Sequence, residues 1–440
     1  MKPCWLMLFL GLLTRVLLPA AEPKLLTLET SLRLAGAANL SLQIARERVV
    51  EARSLYEQQR QSLFPWLAPG LAYKRHAGAL QDIGGSVFDA SKQLGSGQFI
   101  LQTQLELGES IYRTLASKQI AEATEAASQA RRREILLAVA VAYWDLSRAT
   151  VAVATTEESR RLSIRLLEQV SQAVKVGVAF AGDIERVRLQ LERTESQCLQ
   201  SRMETGVATT RLAQLLRLPS EIHLEPDLTE FIPVILVGTN RSVGSLIASA
   251  LGLRPELRQS RALIAAARAQ HNGVTKGPWI PGIGAQVGVG GLSGGRNGNF
   301  GGLDDFQDYG LGVSWRIGPG GIGDRQRIRT ATARLRIAEL DQEKSGDDIR
   351  AEVIEAQIRA AFAGQQLTSA SRMISAAQRL VEFTRTRQKF GVGEVMEAID
   401  AEGELTRSKL AHLQAVAEYN RRQWQLWQAS GLDISSDKSR

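Results

Sequence analysis

The chain has 440 residues, 44% of them hydrophobic and 23% charged, with a formal net charge of +8. That balance excludes a disordered chain and a bundle of apolar membrane helices. Aromatics, at 5%, are thin for a compact core, and the basic excess is interleaved with acids along helical stretches, which reads as solvated helix faces and not as a nucleic-acid surface.

At the N-terminus, Lys2 precedes an apolar run from Trp5 to Leu13, and the small residues Ala20 and Ala21 follow. This is the pattern of a secretory signal over residues 1–21. The run is too short to cross a bilayer as a helix. Cys4 leaves with that segment, so Cys198 stands alone and no internal disulfide is expected. Its place on an apolar helical stripe reads as simple burial.

Proline then punctuates the chain. It occurs at 65 and 69, at 219, 226 and 233, and at 255, 278, 281 and 319, with none between Gly70 and Leu218 and none after Pro319. Ile111 to Ala173 and Arg325 to Gln388 therefore read as two very long helices, rich in Ala, Glu, Arg, Gln and Leu. A helix of about 60 residues reaches roughly 90 Å, longer than any ordinary globular domain contains. After Asp183, the series Ile184, Val187, Leu191, Thr194, Cys198, Ser201, Thr205, Ala208, Leu212 and Leu215 alternates spacings of three and four, a sustained helical seam.

The chain repeats itself at an offset of about 214 residues. Asn39 to Arg46 aligns with Arg254 to Arg261, Pro65-Trp66 with Pro278-Trp279, Gly177 with Gly391, Leu191 with Leu405, and Leu212 with Leu426. Residues 22–218 and 243–432 thus read as two structural repeats, joined by a linker over 219–242 and followed by a tail at 433–440.

Each Pro-Trp is followed by alternating segments, giving expected strands near 67–76, 98–108, 282–292 and 307–317. In the last, Tyr309, Leu311, Val313, Trp315 and Ile317 share one face, and Gly310, Gly312, Ser314 and Arg316 the other. Gly78 to Gly97 and Asn297 to Asp308 read as solvated loops. Apolar-out, polar-in strands of this length fit a transmembrane barrel, although a half-buried soluble hairpin has the same pattern. Four strands cannot close, and open edges are not tolerated in lipid, so a barrel requires oligomerisation. Three copies give twelve strands, an even number within the bacterial range.

Two glycine turns interrupt the long helices. Val176-Gly177-Val178 leads to Asp183, and Gly391-Val392-Gly393 leads to Glu397 and Asp400, which share a helix face. Elsewhere, Gly318-Pro-Gly-Gly-Ile-Gly323 matches a dinucleotide fingerprint, but its proline and the alternating strand before it favour a strand-to-helix turn. The four histidines lack metal spacing, no catalytic constellation is present, and no cofactor is expected.

Leu26-Thr-Leu-Glu-Thr-Ser-Leu32, Leu253-Arg-Pro-Glu-Leu257, Tyr309 to Gly323, Leu212 to Pro219 and Tyr419-Asn420 to Gly431 occur in an order that resembles the TolC-type outer-membrane efflux protein family over nearly the whole chain beyond the signal. The resemblance implies a mainly α fold with a β-barrel contribution. Four strands per chain would build a trimeric twelve-stranded barrel in outer-membrane lipid, continuing into a long periplasmic α-helical tunnel. It implies a homotrimer that works with a periplasmic adaptor and an inner-membrane pump or ABC transporter, passes small molecules or polypeptides, and catalyses nothing. The glycine turns at Val176, Gly177, Val178, Gly391, Val392 and Gly393 would be the adaptor-docking tips. Glu397, Asp400 and Asp183 would form the gate, since Glu397-Ala-Ile-Asp400-Ala matches the family's acidic constriction; two solvated surface charges are the bland alternative. Two residues are missing before Glu397, and with them the basic partner expected for Asp183, a role open to Arg387 or Lys389. A periplasmic coiled-coil scaffold without a barrel, or an exported enzyme with a helical domain, remains as a rival reading.

Overall fold

The computed structural model describes residues 24–219, 224–238, 241–296, 299, 301–390 and 395–432. The chain runs β1 (Lys24–Leu26), α1 (Leu28–Ala38), α2 (Leu40–Gln61), β2 (Trp66–Gln81), β3 (Val87–Glu106), α3 (Leu107–Lys175), α4 (Ala181–Leu216), β4 (Leu224–Pro226), α5 (Val243–Leu253), α6 (Pro255–Thr275), β5 (Gly282–Arg296), β6 (Asp304–Ser314), α7 (Arg325–Lys389) and α8 (Val395–Ser430). The same order appears on both sides of β4: an 11-residue helix, one of 22 or 21 residues, two strands, a helix of 69 or 65 residues, and one of 36. Local signals set the boundaries. The Asn39 side chain accepts from the Ser41 and Leu42 amides at 2.9 and 3.4 Å and starts α2. Pro255 occupies the first turn of α6, where its missing N–H costs nothing.

The chain divides into two compact units, each drawing on both sequence halves. The first contains the N-terminal segment to Ala38, Ala138–Val234 and Ala363–Arg421. Its core includes Tyr143 and Trp144, both buried, with ring centroids 5.3 Å apart, and Phe231 lies 6.3 Å from Trp144. On α4, Val187, Thr194, Cys198, Ser201, Ala208 and Leu212 of the expected seam are buried. β1 pairs in parallel with β4, so the expected linker carries structure of its own. The Glu230 carboxylate anchors that junction, accepting from the Tyr143 hydroxyl at 2.8 Å and from the Leu28 amide at 3.0 Å. Burial and that carboxylate push the Tyr143 phenol far above its usual range. Asn420 accepts from the Val234 amide and donates to the Ile232 carbonyl, fixing the same connection to α8.

The second unit, Asn39–Leu137, Ile235–Phe362 and the chain from Arg422, holds an antiparallel four-stranded sheet in the order β2-β3-β5-β6. It does not close on itself: among the described residues β2 and β6 have free outer edges. The strands exceed their expected ranges. Ala77 to Gln81 pairs with Val87 to Ser91, so most of the segment read as a loop from Gly78 to Gly97 is strand, and Asp304 to Asp308 belongs to β6. At the other end β6 stops at Ser314, and Ile317 instead bridges Ile322.

The register collects the alternating patterns into two coherent faces. Leu67, Leu101, Val287 and Tyr309 form one row across all four strands; Leu105, Ile283 and Val313, then Thr103, Ala285 and Leu311, form others on the same face. The opposite face carries Gln98, Gln102, Gln104, Gln286, Gly310 and Gly312. After β6, the Gly318–Gly323 loop is a compact turn. A Cβ at Gly321 would stand 2.0 Å from the Arg316 carbonyl oxygen, which requires glycine there. The Asp324 carboxylate accepts from the Gly320 and Arg327 amides, which hold its pKa below the usual carboxylate range and cap α7.

Candidate gate and helix-reversal site

The reversal after α3 follows from one residue. Gly177 has φ +76°, while the Gly177 amide donates to the Val174 carbonyl at 3.0 Å and the Val178 amide to the Ala173 carbonyl at 2.9 Å. This is the six-to-one and five-to-two pattern of a glycine-ended helix, and a side chain at that φ is strained. Beyond the turn, Phe180 is the non-helical residue before α4, and its ring lies over Gly182, where a Cβ would come within 2.5 Å of it. Val176, Val178 and Phe180 are 71, 81 and 73% exposed. Phe390, at the end of α7, is 78% exposed. Val176, Gly177 and Val178 were expected here; Phe180 and Phe390 were not singled out, although each is a large apolar residue beside a break in helical periodicity. Gly391, Val392 and Gly393 lie outside the described residues.

Asp183 sits just past the reversal at Gly177, and Glu397 and Asp400 lie near the start of α8. Val170 of α3, Val187 of α4 and Ile399 of α8 form one buried cluster, with Ile184 and Val395 packed against it. The helices bearing Asp183, Glu397 and Asp400 are thereby held in one core. Asp183 falls in the first turn of α4, where the helix dipole favours an anion, and pairs with Arg186 at 3.1 Å. Glu397, in the first turn of α8, pairs with Arg387 at 3.1 Å. Arg387 thus faces Glu397, and the partner of Asp183 is its own neighbour one helical turn away. The side chain of Lys389 is outside the described residues. Asp400 is exposed and makes no ion pair among the described residues. The site accordingly presents one uncompensated carboxylate at Asp400 beside two paired ones, with exposed apolar side chains at the turn after α3. It offers negative charge and exposed apolar surface; the described residues contain no cluster of His, Cys, Asp or Glu arranged to hold a metal.

A family model described as outer membrane efflux protein matches residues 32–216 and again 246–432. Solved structures share the fold. The outer-membrane channel OprN is 21% identical with a TM-score of 0.77, over 92% of this chain and 90% of that one. The outer membrane protein VceC from Vibrio cholerae is 17% identical with a TM-score of 0.77, over 93% and 97%. The MtrE outer membrane channel of Neisseria gonorrhoeae is 18% identical with a TM-score of 0.74, over 94% and 91%. No curated protein sequence is a detectable relative.

Proposed function

Because the chain belongs to the outer membrane efflux protein family, we propose that it is the exit duct of an efflux or type I secretion system, a passive channel for small molecules or polypeptides that catalyses no reaction. The observation that carries this reading is the sheet: one apolar face, one face rich in glutamine and glycine, and two edges with no partner among the described residues. Such a sheet is stable in lipid only when its edges are paired by other copies. Three copies close a twelve-stranded barrel, with the helices forming a periplasmic tunnel. In this reading residues 1–21 are the export signal, 22–218 and 243–432 are the duplicated halves on either side of the 219–242 connection, and 433–440 is a tail. The turns at 176–178 and 391–393 dock a periplasmic adaptor that links the duct to an inner-membrane pump or ABC transporter. Glu397 and Asp400, with Asp183 beside them, ring the entrance as the gate.

The test is fractionation. The protein is expected in the outer membrane as a trimer that dissociates only on heating, and resistant to extraction by salt. Quantitative release by a salt wash would instead support a periplasmic scaffold without a barrel.

A further inference from the structure

One end of the sheet carries chemistry that the duct reading leaves unused. On the glutamine and glycine face, His76 of β2 pairs directly with Lys92 of β3, and Lys92 pairs directly with Arg296 of β5. Residues opposite one another in an antiparallel ladder project from the same face with Cβ atoms about 4.5–5.5 Å apart. The row therefore sets a lysine, an arginine and an imidazole side by side. Lys74 lies one row nearer the strand ends that lead into α3 and α7. Among the described residues neither Lys74, Lys92 nor Arg296 makes an ion pair, and Asp304 and Asp308 lie on the same face in other rows of β6. Nε2 of His76 is buried without a hydrogen-bond partner. Like charges directly opposed across strands destabilise a sheet. A fixed oxyanion would remove that repulsion and take the donors of Lys92, Arg296 and His76, which in the two cations have no acceptor role.

We propose that His76, Lys92 and Arg296 form a binding site for a soluble phosphate-type oxyanion on the inner face of the sheet at its hairpin end. The position of the row within one chain is independent of assembly; that it faces the lumen at the outer mouth rests on the duct reading. There, three copies place a cationic ring at the exit, opposite in sign to the acidic entrance, so that anionic cargo dwells at the mouth before release. The face is fixed by register. Arg75, next in sequence to His76, pairs with Gln93 and belongs to the apolar face.

The experiment is calorimetric titration of the full detergent-solubilised protein with inorganic pyrophosphate at low ionic strength. Saturable binding is expected, weakened about tenfold or more by Lys92→Gln with Arg296→Gln through loss of two charge-assisted contacts. Lys92→Gln alone serves should the pair fail to assemble. Arg75→Gln is expected to leave binding unchanged. Absence of saturable binding, equal weakening by Arg75→Gln, or binding only to phosphate-bearing lipid in nanodiscs overturns the site. Because the row lies within one chain, binding is read whether or not the protein integrates into a membrane, and salt extraction tests the duct reading separately.

Discussion

The helical unit around Trp144 and the four-stranded sheet solve the problem of apolar surface differently. In the helical unit, Tyr143 and Trp144 are buried and α4 keeps Val187, Cys198, Ala208 and Leu212 covered by the chain's own helices. In the sheet, Tyr309, Leu311 and Val313 stand 71, 81 and 55% exposed, with no layer of the described residues over them. The core around Trp144 is closed by the chain's own packing; the apolar face of the sheet needs a solvent other than water, or other chains. One sequence thus encodes one region that folds by its own contacts and one whose stability belongs to its surroundings.

The contrast is sharpest under substitution. Trp144→Ala should cost about 3–5 kcal/mol wherever the protein resides, since it empties a core shared with Tyr143 and Phe231; thermal unfolding in detergent and in bilayers should report the same loss. Val313→Arg should cost about 2–4 kcal/mol, but only in lipid, whereas Gly312→Arg on the other face should be tolerated apart from crowding. Equal assembly of the two sheet variants in liposomes would erase the difference between its faces. Gly177→Ala should cost about 1 kcal/mol by forcing a side chain to φ +76°, measured as a small drop in melting temperature with the secondary structure kept.

The smallest stability effect is expected at the acidic residues near the start of α8. Glu397→Gln with Asp400→Asn removes a single partly exposed ion pair and should shift stability by under about 1 kcal/mol. In the proposed channel its effect on conduction should be larger, since carboxylates ringing a narrow mouth attract cations. Planar-bilayer recordings should show weaker cation selectivity and weaker block by divalent ions. Neutralising Glu402 and Glu404, paired to Arg385 and Arg407, should do much less; an equal effect would mean that charge is spread along α8 and not focused at its start.

The long helices were legible because proline is absent and the composition favours helix: 111–173 and 325–388 were expected, and 107–175 and 325–389 form. β5 and β6 were legible through strict alternation. The upper part of the β2–β3 hairpin was not, because Gly78, Ser91, Gly95 and Gly97 look like a loop until a partner strand supplies their hydrogen bonds. β4 was hidden for a related reason: Leu224-Glu-Pro226 is too short to show a period, and its partner is β1, remote in sequence. At the candidate site, the helix reversal at Gly177 could be read directly, whereas the Arg387–Glu397 pair joins residues from different helices and obeys no sequence spacing.

The junction of β1 with β4 bears on how the chain acquires its fold. The Leu28 amide and the Glu230 carboxylate that receives it are 202 positions apart, so a segment made early is among the last to be satisfied. Until residue 230 has emerged, β1 has neither ladder nor carboxylate, and closing so long a loop slows the step that needs it. Synthesis and folding therefore run out of phase in this molecule. Its early half must wait in an incomplete state until that partner segment arrives.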